Sequence, residues 1–226
     1  MSLLLEEAKN IIPGSISIKY EISNRDGDYI SSGKGDAGGK SYGISQFTSK
    51  GDASANSFVE WLLEEDKELG SFFLNTDKAG TESFDSAWVD AFNYNPTTFT
   101  NYQRQYTMKF YVEPFIEACK NEIGVDFNET LALQESAYSL AVQFGKNGAL
   151  TIARNSGISP EFSEETNIKL LYSEKRYSIG NYKFLYCSEN VQDSVYNRFI
   201  NEEEDILDIK ESNPCNLLVN TTLETF

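Results

Sequence analysis

The stretch from residue 23 to residue 47 constrains this chain more than any other, because six glycines, at 27, 33, 35, 38, 39 and 43, fall within 25 residues. Each would cost a helix about 0.5–1 kcal/mol relative to alanine, so the segment must be built from tight turns and close backbone approaches. Short strands at 29–32 and 42–47 can flank those turns. On either side the pattern is helical. A short helix is expected at 4–12, where Pro13-Gly14 stops it before a second apolar stretch, Ile16, Ile18 and Tyr20. Phe58, Trp61, Leu62 and Leu69 form the apolar face of a helix over 54–69, with Glu64, Glu65, Asp66 and Glu68 on its wet side. Further helices are expected at 83–93, at 98–122 with a break near Pro114, and at 129–144, 147–155, 162–174 and 188–210. No repeat or linker divides the chain, so residues 1–226 are expected to form a single domain, with 212–226 as a C-terminal tail.

Composition narrows the chemistry. The chain has 226 residues, a formal net charge of -16 and no histidine. Without imidazole there is no Ser-His-Asp or Cys-His nucleophile and no His-ligated zinc, so acid/base work must fall to carboxylates, Lys, Tyr or Cys. An excess of acids argues against nucleic acid, whose phosphates are bound by Lys and Arg. Cys119, Cys187 and Cys215 form no close pair and are expected to be buried or incidental thiols of a protein made in the cytoplasm. The N-terminus carries acids where a signal peptide carries positive charge, and no apolar run is long enough to cross a membrane. A monomer is expected, with no membrane insertion, no metal and no cofactor.

Two carboxylates stand out. Glu21 closes the apolar stretch, and Asp36 lies fourteen intervening residues later in the sequence Gly35-Asp36-Ala37-Gly38-Gly39. Two carboxyl groups facing each other across a cleft are what glycosidic-bond hydrolysis requires: one protonates the leaving oxygen and the other activates water, at about 6.5–9.5 Å in inverting enzymes. Neighbouring Ile18, Tyr20 and Ile22 would desolvate Glu21 and suit it to be the acid, while backbone N–H groups among glycines would keep Asp36 ionised as the base. Residue by residue, Gly-Asp-Ala-Gly-Gly is also an ordinary turn and a lone Glu is ordinarily a solvated one.

The segment resembles the active-site region of the chitosanases of glycoside hydrolase family 46, and still more the related peptidoglycan hydrolases of phages and type VI secretion systems. The matching residues are Tyr20, Glu21, Ile30, Ser31, Gly35, Asp36, Ala37, Gly38, Gly39, Ser41, Tyr42, Gly43 and Gln46. Weaker likeness extends to the helix around Gln143 and to Tyr196-Asn197-Arg198-Phe199. The resemblance implies a mainly α, lysozyme-like, two-lobed α+β fold with a small β-hairpin beside a cleft formed around residues 20–48. It also implies roles: Glu21 as general acid, Asp36 as general base, Ser41 helping to orient the water, and Tyr20, Tyr42 and Gln46 binding sugar. For Tyr42 a packed strand aromatic is the alternative. Gln143 reads as a buried amide tying a helix to a loop. The chain departs from the pattern where Ile22-Ser23-Asn24 replaces Ser-Gly-Gly and where Ser45 replaces an aromatic.

The expected substrate is bacterial cell-wall polysaccharide, cleaved in its β-1,4 backbone with inversion. The setting would be phage lysis or delivery as an antibacterial effector, with action at the wall after release by other proteins. A chitosanase and a non-hydrolytic glycan-binding or structural component remain as alternatives. Glu202-Glu203-Glu204-Asp205 is expected to be a solvated helix face, like 64–68, and Lys40 a solvated lysine.

Overall fold

The computed structural model describes residues 13–22, 26–34, 37–52, 54–181 and 188–212, without the side chains of residues 21, 22 and 210–212. The expected helix at 4–12, Asp36, Cys187, Cys215 and nearly all of the expected tail lie outside these residues. The chain divides into two compact units. We call Ile18–Pro114 the hairpin unit and Met1–Ser17 with Phe115–Phe226 the helical unit. The division falls inside the first helix, α1 (Ser15–Ile22), which takes up the second apolar stretch after a turn at Pro13-Gly14. Among the described residues no helix is long and apolar enough to cross a membrane.

In the hairpin unit, β1 (Ser41–Tyr42) and β2 (Phe47–Thr48) pair antiparallel with Tyr42 opposite Phe47. A bridge from Ile30 to Tyr42 adds a third extended segment. The expected strand at 42–47 is thus a hairpin, because Gly43 and Gln46 adopt positive φ and reverse the chain within it. Three helices follow: α2 (Ser54–Glu65), a single turn α3 (Lys67–Gly70) and α4 (Glu82–Tyr94). The helix expected over 54–69 divides at Asp66, whose Oδ1 accepts the N–H groups of Glu68 and Leu69, both at 3.0 Å, and so starts α3 afresh. Next, α5 (Pro96–Thr107) begins with Pro96 in its first turn behind the Asn95 cap. The break expected near Pro114 lies one turn earlier, as a π-helical stretch over Met108–Val112. Proline at the second position of α6 (Glu113–Glu122) has no N–H to give to the turn before it. The core is aromatic: Tyr42, Phe47, Phe58, Trp61, Phe73, Phe84, Trp88, Phe99 and Tyr106 are all buried. Most rings pack edge-on or tilted, as Trp88 does on Phe99 at 5.0 Å and Phe58 on Trp88 at 5.4 Å, while Phe47 stacks on Phe58 and Phe84 on Trp88.

The helical unit packs α7 (Leu131–Ser156), α8 (Glu164–Ser178) and α9 (Glu189–Ser212) against one another. The two helices expected at 129–144 and 147–155 are the two halves of α7, separated by non-helical Gly145. Its core is largely aliphatic, including Leu131, Leu140, Leu150, Ile152, Ile168, Leu171, Ile206 and Ile209. Buried charges lie in this core. Lys175 Nζ is 3.0 Å from Glu202 Oε2, donates to Ser139 Oγ at 2.7 Å, and sits over the rings of Tyr172 and Phe199 at 4.2 and 4.3 Å. Beside it, Arg176 pairs with Glu203. The expected solvated face at 202–205 is therefore corrected. Phe199, Glu202, Ile206 and Ile209 recur at helical spacing along the buried side of α9, and only Glu204 of the four acids is fully exposed. The acids at 64, 65 and 68 are exposed as expected.

Candidate active site

The hairpin unit holds the residues that the sequence singles out. Tyr20 and Glu21 form the last turn of α1; Tyr20 is half-buried, with Lys19 Nζ 5.2 Å from its ring centre. The side chain of Glu21 and the whole of Asp36 lie outside the described residues, but the frame on which Asp36 is strung is defined. Ser31 N–H donates to the Ser41 carbonyl at 2.9 Å, and Ser41 N–H donates back to Ser31 Oγ at 2.7 Å. Lys50 N–H reaches the Gly38 carbonyl and Ser49 N–H the Lys40 carbonyl, both at 2.9 Å, which extends the hairpin pairing outward. Gly33 packs onto the backbone of Gly39 and Lys40 so closely that a Cβ would stand 2.6 Å from Lys40 N, and its φ of +64° is left-handed. Gly33 and Gly39-Lys40, which precede and follow Asp36 in the sequence, are therefore held against each other.

Two further residues singled out by the sequence, Ser41 and Gln46, sit on this frame. Ser41 is 8% exposed on β1, and its hydroxyl makes no hydrogen bond among the described residues. Gln46 is the one described non-glycine residue with positive φ, +55°, and its buried Nε2 has no partner among the described residues. A strained backbone and an unmet buried donor at the same position are features that cluster where ligands bind.

Tyr42 is different, and its assignment to the sugar cleft is corrected. It is fully buried, edge-on to Phe84 at 5.1 Å. Its hydroxyl donates to Asp85 Oδ1 at 2.6 Å and accepts the Gly80 N–H at 2.7 Å. Burial, then the Asp85 hydrogen bond, push its phenol far above the ordinary tyrosine range. Lys40 is likewise not a free solvated lysine, since it pairs with the other oxygen of Asp85. Asp85 thus joins hairpin and α4, a role that no pattern around it announces.

Sequence reasoning also misses Gln103. Its fully buried amide donates to the Gly27 carbonyl at 2.9 Å and accepts the Ile44 N–H at 2.9 Å, so α5 fixes both the loop before the hairpin and the turn within it. Trp88 Nε1 donates to the same Gly27 carbonyl at 2.8 Å. The helix-to-loop amide assigned to Gln143 is in fact Gln103, because Gln143 is only half-buried and its Oε1 accepts no hydrogen bond among the described residues. Ser45, standing where the pattern has an aromatic, is held at 2.6 Å from the Thr107 hydroxyl on α5. The signal that could have revealed Gln103 is its place on the inner face of α5 with Phe99, Tyr106 and Thr107.

In the helical unit Glu135, on α7, is fully buried. Ser15 N–H donates to its Oε1 at 3.0 Å and Ile16 N–H to its Oε2 at 3.3 Å. Burial raises its carboxyl to about 7 in spite of these donors. Burial would also raise Glu202, but the Lys175 charge, hydrogen bonds from Ser139 and Lys175, and the Arg198 charge together hold it below the usual carboxylate range. Cys119 is buried, which lifts its thiol to about 12 and makes it inert at neutral pH.

Known proteins share this architecture. A chitosanase solved in a complex superimposes with a TM-score of 0.56 over 89% of this chain and 91% of its own, at 13% identity, so the fold is lysozyme-like. The type VI secretion system spike protein VgrG3 of Vibrio cholerae serotype O1 is 25% identical over 198 residues, 87% of this chain; the chain spans 19% of that protein's length. Residues 13–203, which include both carboxylates and the whole hairpin, match the family of type VI secretion system spike protein VgrG3-like C-terminal domains, and the chain belongs to that family.

Proposed function

We propose that the chain is a glycoside hydrolase that cleaves the β-1,4 glycan backbone of bacterial peptidoglycan, with Glu21 as general acid and Asp36 as general base. The observation that carries this reading is the contact of Gly33 with Gly39-Lys40. It lies in the same compact unit as the Glu21 turn of α1 and is made by residues on either side of Asp36 in the sequence. In the reaction Glu21 gives its proton to the leaving glycosidic oxygen as the C–O bond breaks. Asp36 takes a proton from the water whose oxygen bonds to the anomeric carbon, so one displacement inverts that carbon. The Ser41 hydroxyl orients the water, and Gln46 Nε2 donates to a sugar oxygen and so meets its missing partner. Tyr20 offers a half-exposed ring to the sugar. No step needs a metal or organic cofactor. Delivery to a target cell wall would be by a secretion system of the kind that the VgrG3 relative's name denotes.

The test counts reducing ends released from purified cell walls. Glu21→Gln and Asp36→Asn are each expected to lose about 10²–10⁴ of the rate, and the anomer formed first, seen by NMR, is expected to be inverted. Release by Glu21→Gln equal to wild type overturns the assignment of Glu21. A second substrate, chitosan, is favoured by the net charge of -16, which attracts a polycation. Faster cleavage of chitosan than of cell wall would establish it, and activity on neither would leave a glycan-binding module.

A further inference from the structure

The helix that ends on Glu21 has an unusual beginning. At eight residues α1 is about 12 Å long, shorter than helices that hold themselves together in water. Its first turn contains no acid, and the residue before it, Gly14, has no side chain with which to cap it. Yet its first N–H groups need acceptors. They find them on α7, 119 and 120 residues later in the chain. One oxygen of Glu135 accepts from Ser15 and the other from Ile16, while the Ser17 hydroxyl donates to the Glu135 carbonyl at 3.5 Å. One turn further along α7, the ring of Tyr138 lies so close to Gly14 that a Cβ there would stand 2.6 Å from it, which fixes where the chain enters the helix.

We infer that Glu135 is the N-terminal cap of α1 and a positioning residue for Glu21, holding the two-turn helix from the end opposite the proton donor. This rests on the assignment of Glu21 as general acid. A short helix forms and melts as a unit, so a loss of two acceptors at its first turn is felt at its last. Glu135 touches neither substrate nor reacting atoms in this scheme; it acts through the orientation of α1 alone, where a displacement of about 1 Å can cost 10²-fold in rate.

Two readouts test it on the full chain. In Glu135→Ala, backbone amides 20–22 at the far end of α1 are expected to exchange with solvent at least about tenfold faster, while α8 keeps its protection. Cell-wall hydrolysis by the same variant is expected to lose about 10–100-fold in kcat with KM within about twofold, since a displaced acid affects the chemical step and not binding. Glu135→Gln, which keeps one acceptor oxygen and the side-chain shape, is expected to recover part of both and serves as the test if the alanine variant does not fold. Unchanged exchange at 20–22 in a folded variant overturns the inference, as does a rise in KM with kcat intact. A wild-type protein with no hydrolytic activity, or an active Glu21→Gln, defeats the functional assignment instead, and amide exchange still decides whether the cap holds the helix end to end.

Discussion

The two units solve the burial of polar groups in opposite ways. In the hairpin unit the described core is made largely of aromatic rings, and its buried polar side chains, Ser41, Ser54, Gln103 and Thr107, are all neutral. In the helical unit the core is largely aliphatic and encloses Glu135, Lys175 and Glu202. Neutral amides and hydroxyls hold their geometry at any pH at which the protein is studied. Buried charges bind more tightly to chosen partners but lose them when they titrate or when a partner is removed. The described core of the unit that carries the candidate catalytic residues thus holds no charged side chain, whereas that of the helical unit does.

The sharpest way to break this contrast is to remove one half of the Lys175–Glu202 pair. Lys175→Met leaves the buried Glu202 carboxylate without its paired lysine, with only the Arg198 charge nearby, and is expected to destabilise the protein by about 3–5 kcal/mol in urea denaturation followed by circular dichroism. Lys175→Met with Glu202→Leu is expected to recover most of that loss, since a well-packed apolar pair avoids the desolvation cost. A single variant that costs under about 1 kcal/mol would mean that the pair is hydrated and the contrast overdrawn.

Next in size is the pH dependence of Glu135. Its folded-state value, about 7, lies above its ordinary 4.5, so the stability it contributes is fully present below about pH 4.5 and is lost as pH rises through about 7. The loss is on the order of 3 kcal/mol, and the Glu135→Gln variant is expected to lack it. The neighbouring charges do not mimic this trend. Glu202, held low by Lys175, loses its contribution only as pH falls below its ordinary range, and the buried Tyr172 phenol is pushed far above it. A wild-type curve flat between pH 4.5 and 7 would show that the four N–H groups facing Glu135 outweigh its burial.

The smallest effect belongs to the hairpin unit. Gln103→Leu strands the Ile44 N–H, while the Gly27 carbonyl keeps its bond from Trp88. About 1–3 kcal/mol is expected, with the same value at pH 5 and pH 8. A pH-dependent cost would place a charged group where only neutral ones are described.

Much of the fold is legible in the sequence because burial imposes a period. Phe58, Trp61, Leu62 and Leu69 are all buried as their spacing demands, and Gly145 divides α7 where the pattern divides it. Places decided by local backbone and capping detail are not legible: the Asp66 cap that splits one helix into two, or the π-helical turn before Pro114. Long-range pairs are hidden for another reason. Glu202 sits in a run of acids and reads as solvent-facing because its partner is 27 residues away; only its helical spacing with Phe199 and Ile206 betrays it. At the candidate site, motif resemblance puts Tyr42 in the sugar cleft, whereas the structure buries it. A tyrosine in a motif can serve it by packing beneath it, and here its hydroxyl is committed to Asp85 and Gly80.

The sequence contains two tryptophans, Trp61 and Trp88, and both belong to the hairpin unit. Each is packed among aromatic rings, and Trp88 is shut off from water with its indole N–H on Gly27. The intrinsic emission of this protein is therefore a label that nature has placed on one half of it. The fluorescence of the indoles reports the aromatic core of the hairpin unit, while the helical unit, whose buried aromatics are tyrosines and phenylalanines, is dark in that channel and visible in backbone ellipticity. Fluorescence and ellipticity recorded on one sample would separate the melting of the unit that would perform the chemistry from that of the unit that holds its acid-bearing helix at the start.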